Sequence, residues 1–94
     1  DMAIYRNRMV MEMLPHIDLW HAVLVRRVTI GLTKKEAAEL IGMSYSYLSQ
    51  IETGKRLPEW HYLIAMAVVY RFQNAMELVE YAMDMQVIRR ELNL

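Results

Sequence analysis

Between Leu32 and Pro58 the chain twice builds a short amphipathic helix and stops it on a glycine, and that punctuation constrains the fold more than any other feature. Lys34 to Ile41 reads as the first helix. It ends at Gly42, the residue that enters the left-handed conformation at least cost. Ser44 then offers a hydroxyl to cap a second helix running to about Thr53, and Gly54 ends it. Ala37, Ala38 and Ile41 share one face of the first helix, and Tyr47, Leu48 and Ile51 share one face of the second. Two such faces let the helices cross closely over a small residue.

The rest of the chain also reads as helix. A first helix over about 3–14 carries Met9, Val10, Met13 and Leu14, and Pro15 ends it. A second, over about 18–29, is capped by Asp18, which also suits the helix dipole, and buries Leu19, Ala22, Val23 and Val28. After the two central helices comes one over about 59–71 with Leu63, Ile64, Ala67, Val68 and Tyr70, then a last one over about 74–92. No apolar and polar residues alternate over a strand-length window. The expectation is an all-α bundle of five to six helices forming one domain over residues 1–94.

The last helix shows two apolar rows. Leu78, Tyr81, Met85, Ile88 and Leu92 step by three and four, while Met76, Val79, Met83 and Val87 form the other. One row can pack on the domain, and the first is assigned to dimerisation with a second copy. The opposing reading is a broad stripe that buries both rows within one molecule. The 55% hydrophobic content, the mean hydropathy of +0.06 and nine methionines favour self-association, since Met repacks readily at interfaces.

Charge is distributed unevenly beneath a net charge of zero. From Arg26 to Arg56 six basic residues (Arg26, Arg27, Lys34, Lys35, Lys55, Arg56) face three acids, whereas residues 57–94 hold three arginines against five acids. A neutral total argues against an indiscriminate nucleic-acid binder, yet the local excess lies at both ends of the central helix pair, where phosphates could lie. There is no cysteine, hence no disulfide or thiolate metal site. His16, His21 and His61 lack ligand spacing, and no Gly-rich phosphate loop or nucleophile–base pattern is present. Neither a cofactor nor catalysis is expected. No apolar run approaches the ~20 residues of a membrane span, and no leader pattern is visible, so a cytoplasmic protein is expected, with no membrane partner.

The stretch from Leu32 to Pro58 resembles the helix-turn-helix of lambda-repressor-like (XRE/Cro-type) transcription regulators. The likeness is carried by Leu32-Thr33, small Ala38, turn Gly42, Leu48, and the run Ile51-Glu52-Thr53-Gly54-Lys55-Arg56 closed by Pro58. With Arg27 upstream and Leu63, Met66, Ala67, Tyr70 and Leu78 downstream, it spans about residues 18–80. The resemblance implies that the motif (about 33–54) places its second helix in the major groove of double-stranded DNA. Tyr45, Ser46 and Gln50 are then the base-contacting residues, Gln50 suiting adenine through its amide. Thr33, Lys34, Ser44, Ser49, Thr53, Lys55 and Arg56 would hold phosphates. Many relatives have Gln where this chain has Lys34, and Tyr45 departs from the small or polar residues usual there. Arg27 and Glu52 occupy positions that pair as a structural ion pair in many members.

The implied function is a homodimeric, sequence-specific regulator, expected as a repressor on an inverted repeat, of a size suited to phage or mobile-element regulators and to autoregulating antitoxins. The alternative is a protein-interaction module, an anti-repressor or antitoxin, that keeps the fold and acts on a partner protein; Tyr45, the neutral net charge and the Met-rich surface favour it.

Overall fold

The computed structural model describes residues 2–93, with side chains from Asn7 onward. Among these residues every regular element is helical: α1 (Met2–Met13), a one-turn 3-10 helix (Leu14–His16), α2 (Leu19–Thr29), α3 (Lys34–Ile41), α4 (Tyr45–Glu52), α5 (Trp60–Val69) and α6 (Ala75–Glu91). The all-α bundle expected from the sequence is the fold observed, with an N-terminal helix ahead of the motif and a long C-terminal helix after it.

Local chemistry sets most boundaries. Pro15 sits in the 3-10 turn that closes α1, where its missing N–H breaks no helical bond. Gly42 ends α3 at φ 90°, and Asn74 starts α6 by accepting a hydrogen bond from the Glu77 amide at 2.8 Å. Asp18 departs from expectation, because its carboxylate makes no cap bond to α2. Arg89 of α6 instead donates to that carboxylate at 3.4 Å, and the Asp18 amide donates to Gln86 at 2.9 Å. The residue expected to cap its own helix therefore anchors the far end of α6.

The core gathers Val10 and Leu14, Leu19 and Val23, Ala37 and Ala38, Leu48 and Ile51, Leu63 and Met66, and Leu78 and Val79, all at most 2% exposed. α3 packs on α4 and α5, α2 on α4 and α6, and α5 on α6, so the motif pair is gripped from behind by the helices on either side of it in sequence. Val28, expected inside, is 61% exposed, because α2 turns Leu19, Ala22 and Val23 inward and Val28 lies outside that face. Ile64 and Val68 likewise face solvent on α5 while Leu63, Met66 and Ala67 are buried.

The two rows of α6 do not divide as expected. Leu78, assigned to a dimer interface, is fully buried within this molecule, and so is Val79 of the other row. Tyr81 and Met85 are half-buried against the same core, and only Ile88 (55%) and Leu92 (62%) of the first row are well exposed. The division runs along the helix rather than around it. Up to Ala82 both rows are largely covered by α2 and α5, and from Met83 on Met83, Val87, Ile88 and Leu92 are exposed while Met85 stays half-buried and Gln86 and Arg89 hold Asp18.

Candidate nucleic-acid interface

Thr33 and Glu36 form a reciprocal capping box at the start of α3: the Glu36 amide donates to the Thr33 hydroxyl at 3.1 Å and the Thr33 amide donates to the Glu36 carboxylate at 3.0 Å. These two bonds hold the Glu36 carboxyl below its ordinary range, the backbone bond contributing most. The cap uses the Thr33 amide and leaves the amides of Lys34 and Lys35 at the helix start for an outside acceptor. Ser44 does the same for α4, accepting from the Tyr47 amide at 3.0 Å. Between the two caps, Gly42 and Met43 both donate to the Ala38 carbonyl and turn the chain from α3 into α4.

The inner face of α4 buries Leu48, Ile51 and Glu52. Its outer face carries Tyr45 and Ser46, both exposed, with Ser49 and Gln50 half-buried along the same side. Ser46 and Gln50, one turn apart, lie 3.5 Å from one another through the Gln50 amide nitrogen and the serine hydroxyl. This leaves the Gln50 carbonyl and one amide proton without a partner among the described residues, as an acceptor and donor pair. Thr53 turns its hydroxyl back to the Ser49 and Gln50 carbonyls at 3.0 and 3.2 Å, so its proton serves the helix end. Lys55 and Arg56 follow, both exposed.

Arg27 and Glu52 hold this helix to α2. The guanidinium donates to both carboxylate oxygens, at 2.7 and 3.0 Å, and to the Leu32 carbonyl at 2.9 Å. The residues are 8% and 5% exposed, so the pair is desolvated and each charge depends on the other. Hydrogen bonding to Glu52 raises the already high Arg27 pKa, against the opposing effect of burial. Gly54, at φ 76°, passes so close to Trp20 that a β-carbon there would lie 3.3 Å from the ring.

Arg26 is the site residue that sequence reasoning misjudged. Counted among the free positive charges, it instead donates to the carbonyls of Tyr70 at 2.8 Å and Arg71 at 3.2 Å, and its guanidinium lies 4.4 Å from the centre of the Phe72 ring. It caps the end of α5, where Arg71 takes a left-handed φ of 66°. Its partners are more than forty residues away, and no local pattern signals them. Tyr47, placed on the apolar face of the second helix, is half-buried against the core as expected. It stacks at 4.9 Å on Tyr62, its hydroxyl accepts from the Glu59 amide at 3.4 Å, and Arg56 lies 4.4 Å from its ring centre.

Two capped helices around a glycine turn, with a polar outward face and cations at both ends, define a helix-turn-helix unit of the kind found in DNA-binding proteins. A helix-turn-helix domain family model matches residues 5–78, and the chain belongs to that family. The family is one of DNA-binding domains, in keeping with the lambda-repressor-like resemblance of the motif. No curated protein and no solved structure matches the chain at a significant level. Among the described residues no group of His, Cys, Asp and Glu could hold a metal ion, and no helix is long and apolar enough to cross a membrane.

Proposed function

We propose that the protein is a homodimeric, sequence-specific transcription regulator, a repressor that occupies an inverted-repeat operator with α4 in the major groove of each half-site. The observation that carries this reading is the outward face of α4, where Ser46 and Gln50 bond only to one another with Tyr45 beside them, bounded by Lys34 at one end and Lys55 and Arg56 at the other. In an electrically neutral chain, cations gathered around one polar helix face support phosphate binding on either side of a groove. Gln50 reads a base edge, Ser46 assists, and Lys34, Lys55 and Arg56 take the phosphates, with the hydroxyls of Thr33, Ser44, Ser49 and Thr53 lining the same surface.

Dimerisation falls to the free end of α6. Ile88 and Leu92, with the half-buried Tyr81 and Met85 beside them, remain from the row first assigned to it, and Leu78 is removed from that set by its burial. To serve an inverted repeat, a second copy covering Ile88 and Leu92 would have to set the two recognition helices about one DNA turn, ~34 Å, apart.

The test is selection from a randomised duplex library at near-physiological salt, with sequencing of the bound fraction. Enrichment of an inverted repeat is expected, its half-site spacing reporting the dimer geometry. A folded protein that enriches no sequence would favour the protein-interaction module, for which the 57% exposed Tyr45 is the supporting observation.

A further inference from the structure

On α4, residues 45 and 47 are separated by about 200° around the helix axis, so their side chains leave on opposite flanks of the face that bears Ser46 and Gln50. Each ring meets a cation from outside the helix. Lys34 of α3 brings its ammonium 5.3 Å from the centre of the Tyr45 ring, and Arg56 of the α4–α5 loop brings its guanidinium 4.4 Å from that of Tyr47. Neither cation makes an ion pair or side-chain hydrogen bond among the described residues. Tyr47 is itself fixed by the Tyr62 ring and the Glu59 amide, whereas Tyr45 is 57% exposed and has no core to serve.

We infer that Tyr45 and Tyr47 are positioning residues, which hold Lys34 and Arg56 on their rings in the free protein so that two phosphate-binding cations stand ready on either flank of the base-reading face. The inference rests on the DNA-binding reading above. A long basic side chain loses rotamer freedom when it binds a phosphate, and a ring that has already restricted it removes part of that loss while leaving the charge unpaired. The role also accounts for a large aromatic residue at position 45, beside the base-reading pair. The ring serves the lysine and reads no base.

Two measurements decide it. In the free protein, proton NMR should find the ε-methylene of Lys34 and the δ-methylene of Arg56 shifted upfield by the ring currents, and Tyr45→Leu should abolish the Lys34 shift. Random-coil positions for both would overturn the inference without touching the DNA reading. Binding to duplex over a salt series then separates the roles. Tyr45→Leu should weaken binding by about twofold to fivefold, equally on selected and scrambled duplexes, and should have no effect when Lys34→Met is already present. Tyr45→Phe, which keeps the ring, should bind as the parent does. An equal loss in the Lys34→Met background, a loss limited to the selected sequence, or a Phe variant as weak as Leu would each show Tyr45 contacting DNA directly and overturn the positioning role. A parent protein that binds no duplex even at low salt would remove the DNA reading and this inference with it.

Discussion

Helices α4 and α6 lie on the same core yet finish their outward faces in opposite ways. α4 turns Ser46, Ser49 and Gln50 outward and is closed at each end by a specific cap, Ser44 at its start and Thr53 at its end. α6 leaves Met83, Val87, Ile88 and Leu92 exposed at 40% to 62% around Gln86 and Arg89, which bond to Asp18. A hydrogen-bonding face suits the edges of base pairs, which present donors and acceptors, whereas an apolar one suits another protein surface. The two faces differ in chemistry although they lie on one core, and residue type alone does not place a residue on a face.

The sharpest way to break the comparison is at the base of α4. Arg27→Ala strands the Glu52 carboxylate in the core and should lower unfolding free energy by about 3–5 kcal/mol, read by urea denaturation. A loss below about 1 kcal/mol would show the pair to be solvated. Along α6, Leu78→Ala should destabilise by about 2–5 kcal/mol, while Ile88→Ala and Leu92→Ala should each stay within about 0.5 kcal/mol at concentrations where the chain is monomeric. The latter two should instead weaken self-association in sedimentation equilibrium. If all three variants behaved alike, the division of α6 into a covered and a free part would fall.

Arg26→Ala comes next, at about 1–3 kcal/mol, since it removes two charged hydrogen bonds and the contact with Phe72. Melting temperature should thus fall most for Arg27→Ala and less for Arg26→Ala. The weakest effect is a pH slope. Burial, and secondarily the nearby Arg89 charge, lowers the His21 pKa from 6.5, with Asp18 opposing. The depressed folded-state value means that the unfolded chain takes up the proton first. Stability is therefore full above pH 6.5 and falls as pH drops through that value toward the folded-state pKa. Denaturation at pH 7.5 and 5.5 should show the loss, and His21→Leu should reduce it; an unchanged slope in the variant would assign it elsewhere.

The helix-turn-helix itself was legible because its signals are short-range. Gly42, Ser44 and Gly54 act on residues within a turn of themselves, and the spacing of Ala37, Ala38, Ile41, Leu48 and Ile51 fixes which faces go inward. The pairing of Arg27 with Glu52 came only through family resemblance, as nothing in the local pattern joins two residues twenty-five apart. Arg26 was misread for the same reason. An exposed cation and one that caps a distant helix look identical until the distant helix arrives. Asp18 failed differently: its cap role was chemically available, and Arg89 with Gln86 drew the residue into another arrangement.

The sequence by itself determined the number and order of helices, their stops and the polar outward face of α4, since each depends on backbone preference and periodicity within a few residues. Only the tertiary structure decided which part of α6 is core and which is free, and which arginines are structural. It also decided that the two tyrosines of α4 meet cations from outside it. Those outcomes depend on which surfaces come within a few ångströms after folding, and packing covers one stretch of an apolar row while leaving an equally apolar stretch exposed wherever no neighbouring side chain reaches it.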